Sequence, residues 1–291
     1  MDKRGFLKVL SSALVAAPVA AATSLALKPP GTEPVPSSGT VAYQRVMKRG
    51  VLRAGSFIEP PFTFFDAATN TRKGLTVALA ESLTSSVNLR LEWVDVNFAT
   101  LVDDLEHARC DAVCASLFMM PRAGRLDYTM PYAYVPVHGY VRANDKRFGA
   151  DLAALDDPAY RIVGLEGEGA TAIAHRRFPR AAFLDLPQGT LIPDLLLNVV
   201  NHKADVAFLI PTVFAAFEES HPGLLKPLPS EEPLHVFAIA FALKPGEEML
   251  KSLLNNNLQR MIVSGELESL FATFDPNRYV LRPGIRYTRG C

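Results

Sequence analysis

Short apolar runs, bounded by polar or turn residues, alternate along this chain with longer stretches in which apolar positions recur every three or four residues. The first pattern marks strands buried on both faces, the second helices with one covered face. Strands are predicted at residues 51–56, 89–94, 111–117, 161–165 and 205–209, and helices at 75–86, 100–108, 171–178 and 191–202. That rhythm belongs to open α/β sheets. Residues 247–274 predict further helices.

The chain opens on a different pattern. Lys3-Arg4-Gly5-Phe6-Leu7-Lys8 precedes an apolar run from Val9 to Ala22, the layout of a bacterial export signal spanning residues 1–27. The string is close to a twin-arginine signal with Lys3 in the first arginine's place, so Tat-like and Sec export both stand. Residues 28–41, rich in Pro, Gly and Ser, form a flexible lead. Residues 275–291 carry four arginines and no core pattern, which reads as a packed tail.

Composition narrows the function classes. Half the residues are apolar (49%), and thirty basic residues balance thirty acidic ones, as in a soluble globular protein with no basic face for nucleic acid. The exported part is longer than one core usually covers, which favours two lobes. Cys110 and Cys114, four apart on one strand, would lie about 13 Å apart, too far to bridge. Cys291 is left as a free or intermolecular thiol. His107, His138, His175, His202, His221 and His235 are scattered without metal-ligand spacing, and no Gly-x-Ser-x-Gly elbow surrounds Ser56, Ser116 or Thr129. No metal or cofactor is expected.

Chemistry gathers around Arg122. Residues 112–119 are almost wholly apolar and read as a core strand, and ligands of such sheets collect beyond the strands' carboxyl ends. A guanidinium there either pairs bidentately with a ligand carboxylate or closes a surface salt bridge. After the strand at 161–165, Gly167-Glu168-Gly169-Ala170-Thr171 opens a helix. Its amides and the Thr171 hydroxyl either receive an anion or form an ordinary capped helix start. Phe62, in Phe57-Ile58-Glu59-Pro60-Pro61-Phe62, is either an apolar cover for a ligand or a core residue beneath the turn, while Glu59 reads as solvated.

Taken in order, Leu52-Arg53-Ala54-Gly55 with Pro60-Pro61-Phe62, Gly74-Leu75, Leu101 and Leu105 with Asp111-Ala112, and Arg122 with Asp127-Tyr128-Thr129-Met130-Pro131-Tyr132 follow one another at a recognisable spacing. Val163-Gly164 with Gly169-Ala170-Thr171, then Lys203-Ala204-Asp205-Val206-Ala207, then Phe237-Ala238-Ile239-Ala240-Phe241 continue it. Over roughly residues 42–275 the chain resembles family 3 of the extracellular solute-binding proteins, periplasmic receptors for polar amino acids and related small molecules.

The resemblance implies a two-lobed periplasmic-binding-protein fold of type II, each lobe an open α/β sheet flanked by helices. It divides the chain into lobe one, residues 42–143 plus 238–291, and lobe two, residues 144–237, with hinge crossings near 142–146 and 235–241. It makes Arg122 the carboxylate clamp, with Thr171, Gly169 and Ala170 completing it and Phe62 covering the ligand. The implied partners are a small carboxylate or amino-acid-like ligand and a membrane ABC permease, the receptor itself being a periplasmic monomer.

Three departures stand out. Where amino-acid receptors of this family place a threonine and an aspartate, this chain has Met119 and Ile210, and Leu117 replaces a second threonine. Ile210 supplies no charge for a ligand ammonium, and a buried cation without a partner costs several kcal/mol. The expected ligand is therefore a carboxylate with a largely apolar body and no free α-ammonium, unless Asp185 or Asp194 fills the corner. A periplasmic dehydratase-like enzyme and a ligand sensor for a membrane signalling protein are the alternatives. The segment 206–214 offers no acid or base, which weighs against catalysis.

Overall fold

The computed structural model describes residues 41–119 and 124–283. The export signal, the lead up to residue 40, Arg122 and Cys291 lie outside the described residues. The chain begins with α1 (Val41–Arg49), β1 (Val51–Ser56), a hairpin of β2 (Phe64–Phe65) and β3 (Arg72–Lys73), and α2 (Leu75–Ser85). There follow β4 (Arg90–Asp95), α3 (Leu101–Glu106), β5 (Ala112–Phe118), β6 (Asp127–Tyr128) and the long β7 (Ala133–Arg142). The middle of the chain forms β8 (Arg161–Leu165), α4 (Gly169–Arg177), β9 (Ala182–Leu186), α5 (Ile192–Val200), β10 (Val206–Leu209) and α6 (Pro211–Ser220). It closes with β11 (Leu225–Pro227), β12 (His235–Leu243), α7 (Glu248–Val263) and α8 (Glu266–Phe274).

Two parallel blocks, β4-β1-β5 and β10-β8-β9, are joined through β12 and β7. Residues 133–137 of β7 pair antiparallel with β12, while 138–140 pair with β10 and 140–142 with β11. From residue 239 onward β12 pairs with β5. These two strands carry the chain from one block to the other and back.

Alternation along each central strand builds a core on both faces. Ala112 and Cys114 of β5 face a core closed by Val46 of α1, Leu79 of α2, Leu254 of α7 and Phe271 of α8. Val113, Ala115 and Leu117 face Leu101 and Leu105 of α3. In the second block, Val206 and Phe208 of β10 meet Ala170 and Ala174 of α4, and Ala207 and Leu209 meet Leu196 and Val199 of α5. Each such fully buried large side chain contributes about 1.5–3 kcal/mol. The helices predicted at 247–274 are α7 and α8, separated at Gly265, whose positive φ of 78° suits a residue without a Cβ.

The strand starts share a device. The Asp111 carboxylate, fully buried, accepts from the Arg53 amide at 2.9 Å, from Arg45 Nη2 at 2.9 Å and from Arg49. Asp205, just before β10, accepts from the Arg161 amide at 3.0 Å, from Arg142 Nη2 at 2.7 Å and from Arg147 Nη2 at 2.6 Å. Burial alone would raise the Asp205 pKa, yet the hydrogen bonds from Arg147 and Arg142 hold it below the usual carboxylate range.

Two helices escaped the sequence reading. In α1, Ala42 and Val46 lie one turn apart and both are buried, but the apolar face is only two residues wide. Helix α6 hides inside the apolar run 206–214, where Pro211 at the first helical position is the break between strand and helix.

Candidate functional site

The carboxyl ends of β1 and β5 lie side by side because the strands are parallel neighbours. Beyond β1, the chain folds back on itself through Glu59 N to Thr63 O at 2.8 Å and Thr63 N to Glu59 O at 2.9 Å. The first amides of α2 then fasten this loop, Leu75 N donating to Pro61 O at 3.2 Å and Thr76 N to Phe62 O at 3.0 Å. Gly74 makes that approach possible: its φ is 127°, and a Cβ there would collide with the Phe62 carbonyl.

Within this frame Phe62 is only 2% exposed and belongs to the core of α1, α2, α7 and α8. The expectation that it covers a ligand is corrected: the loop turns its ring inward, beneath the turn. Leu117 is likewise removed from the pocket wall, because alternation along β5 points it at α3 with no exposed surface. Met119 remains accessible at 39%, its amide donating to Ala238 O at 2.9 Å.

Glu59 is not solvated. It is partly buried, and its carboxylate accepts from the hydroxyl of Ser116 on β5, itself 5% exposed. Burial pushes the Glu59 carboxyl above its ordinary pKa, and the Ser116 hydrogen bond only partly offsets this. Nearby, the Tyr132 hydroxyl donates to Ala115 O at 3.2 Å and lies 3.4 Å from Thr76 Oγ1. Sequence reasoning missed Glu59 because its partner is 57 positions away.

Across the junction, the start of α4 is already occupied. Glu168 is the N-cap, and its Oε2 accepts from the Thr171 amide at 2.8 Å and the Thr171 hydroxyl at 3.2 Å. The same hydroxyl accepts from Leu165 N at 2.9 Å. Thr171 is 8% exposed and Ala170 3%. Thr171, Gly169 and Ala170 therefore form a capped helix start, and a ligand carboxylate would meet the Glu168 anion there.

Ile210 caps α6 and packs against the cores of both blocks, as does Phe118, whose ring stacks on Phe237 at 4.7 Å between centroids. Asp185 does not offer a free charge for this corner: His175 Nε2 lies 2.9 Å from its Oδ2. A cavity of 250 Å³ has Pro60 and Pro61 on one side and Thr212, Ala215, Ala216 and Glu219 of α6 on the other. A larger one, 780 Å³, runs along α6 from Pro211, just past the end of β10, by His138, Tyr140, Phe214 and Tyr279.

Among the described residues no cluster of His, Cys, Asp and Glu could hold a metal ion. No described helix is long and apolar enough to cross a membrane. Burial pushes the Cys110 thiol up to about 12, and the fully buried Cys114 thiol is also raised, so neither is a poised nucleophile.

Residues 52–275 match the family of bacterial extracellular solute-binding proteins, family 3. The chain belongs to that family, which places it outside the cytoplasm, in the periplasm or secreted. No curated protein sequence matches the chain. Its solved neighbours share the type II periplasmic-binding-protein fold. One is a binding component of an ABC transporter from Wolinella succinogenes, complexed with lysine, with 22% identity, TM-score 0.65, and 83% of this chain and 100% of that one covered. A cysteine-binding protein from Campylobacter jejuni shows 21% identity, TM-score 0.62, and coverage of 83% and 98%. The ancestral amino acid-binding protein AncCDT-1, a precursor of cyclohexadienyl dehydratase, shows 20% identity, TM-score 0.61, and coverage of 79% and 97%.

Proposed function

We infer that this solute-binding protein closes around a small carboxylate with a largely apolar body and no free α-ammonium, and presents it to a membrane ABC permease. Ile210 carries this reading. It stands at the junction of the two cores, where amino-acid receptors of the family place an aspartate, and Asp185, one candidate to replace that charge, is engaged by His175. The stacked Phe118 and Phe237 add apolar surface beside it. Arg122, following β5, supplies the carboxylate clamp, since a planar fork of donors suits a carboxylate bidentately.

Lobe one comprises residues 42–143 and 238–291 and lobe two residues 144–237, with β7 and β12 as hinge strands. Ligand touching both lobes stabilises the closed form of a pre-existing equilibrium. The receptor acts as a monomer after export on the signal at residues 1–27. It binds its ligand and does not transform it.

The test is thermal unfolding of the exported protein against α-amino acids and their deaminated or N-acylated counterparts, since a ligand specific to the folded state raises the midpoint. Stabilisation by the acids without an α-ammonium is expected. Stabilisation by the free α-amino acids alone would overturn the ligand class.

A further inference from the structure

The 780 Å³ cavity along α6 is walled by β7, α6, β11 with the segment after it, and Tyr279; no residue of the 57–63 loop, of β5 or of the α4 start lines it. One face of α6 runs its length, with Pro211 at the start, Phe214 and Ala215 a turn on, and Glu218 and Glu219 a further turn on. The Phe214 ring stacks on Tyr140 of β7, their centroids 4.2 Å apart. A space of this size and apolar character suits a small organic molecule.

The polar groups of this wall are short of partners. Tyr140 is 2% exposed and lines the cavity, yet among the described residues no hydrogen bond engages its hydroxyl. A phenol buried to that extent ordinarily has one. Glu218 Oε1 accepts from the Gly223 amide at 2.7 Å, but its Oε2 is buried and unpartnered. Glu218 and Glu219 also stand in the last turn of α6, where the helix dipole disfavours anions and no basic residue compensates. Glu231 adds a third carboxylate, and no lysine or arginine lines the cavity. Lys226, just outside it, donates its Nζ to the Asp145 carbonyl at 2.9 Å. Burial holds the His138 pKa below the ordinary histidine value, so the ring is neutral at pH 7 and does not offset the acids.

We propose that this cavity is a second ligand site that binds a primary organic ammonium on an apolar body the size of an aromatic ring. The ammonium donates to the Tyr140 hydroxyl, and Glu218, Glu219 and Glu231 balance its charge. It supplies the donors that three carboxylates and an unpaired hydroxyl lack. The apolar body lies against Phe214 and Tyr279, whose ring faces favour a nearby cation. With no cationic group in the wall, the site excludes simple carboxylates. Its ligand class is thus opposite to that inferred above, and the site does not depend on that reading.

Isothermal calorimetry of the exported protein at pH 7 with 2-phenylethylamine and its neutral counterpart 2-phenylethanol tests this. Neither probe has a carboxylate, so the outcome is separate from that of the carboxylate-receptor reading. The wild type is expected to bind the amine about tenfold more tightly than the alcohol, the discrimination of one charge-assisted hydrogen bond. Tyr140→Phe is expected to weaken the amine about tenfold and the alcohol about threefold. Because the hydroxyl has no partner within the protein, that variant should keep or raise the unliganded unfolding midpoint. Glu218→Gln combined with Glu219→Gln should bring amine and alcohol within about threefold of each other while leaving the alcohol's affinity unchanged. Absence of amine binding at millimolar concentration, equal binding of the two probes by the wild type, or a preference that survives the double variant overturns the site. Unchanged amine affinity in Tyr140→Phe overturns the role of the hydroxyl, and a lowered unliganded midpoint there shows that the hydroxyl serves the fold instead.

Discussion

The two lobes are built alike at one end and differently at the other. At the amino ends of their central strands, Asp111 and Asp205 each accept a neighbouring strand's amide and clusters of arginine donors. At the carboxyl ends the likeness stops. Lobe one turns a partly buried carboxylate, Glu59, onto Ser116, whereas lobe two satisfies its helix start internally through Glu168 and Thr171 and caps α6 with an isoleucine. The shared end is scaffold. In the proposed function ligand selection belongs to the divergent end, with polar recognition on lobe one and an apolar wall on lobe two.

The scaffold half of this comparison gives the largest expected effects. Asp111→Ala strips a fully buried anion from Arg49 and Arg45 and should cost about 3–5 kcal/mol in urea denaturation. Asp205, whose side chain is 19% exposed, should cost less when replaced by alanine, about 1–2 kcal/mol, because water takes over part of its role. Its lowered pKa adds a pH signature. The stability it contributes is present above the unfolded carboxylate pKa and lost as the pH falls through the lower folded value. Equal costs at the two sites would break the scaffold argument.

Arg122→Lys comes next, with carboxylate affinity expected to fall about tenfold or more by calorimetry, since an ammonium does not reproduce the fork. Unchanged affinity would remove the clamp. Ile210→Asp sharpens the contrast between lobes by restoring an anion to lobe two. It should shift preference toward free α-amino acids by about tenfold in competition assays, at some cost to stability.

The smallest effect concerns Glu59 without ligand. Its raised pKa means that the folded state loses stability as the pH climbs from the unfolded carboxylate value through the folded one. Glu59→Gln should therefore raise the unfolding midpoint at pH 7 and leave it nearly unchanged at pH 4. A lower midpoint at pH 7 would show that the carboxylate is structural.

The central strands were legible because β1, β5, β8 and β10 are largely buried on both faces and read as short, mostly apolar runs. Their alternation was legible too, yet not which face meets solvent, and so Leu117 was taken for a pocket residue while it packs on α3. Phe62 failed for a related reason: the Pro60-Pro61 turn announces itself, but the pinning of its carbonyls by α2 decides where the ring goes. The α4 start stays open in the sequence because glycine and threonine signal an anion cradle as readily as a capped helix; the structure adds the internal cap from Glu168. Ile210 stands out through the resemblance to the family, and it packs against both cores.

A crystal structure of the protein with its tightest small carboxylate tests the division of labour between the lobes most directly. The expected result is a ligand carboxylate on Arg122, apolar contacts to Phe118 and Ile210, and Glu168 still capping Thr171. A ligand carboxylate seated on the amides of Gly169 and Ala170, with Glu168 swung away, would contradict it.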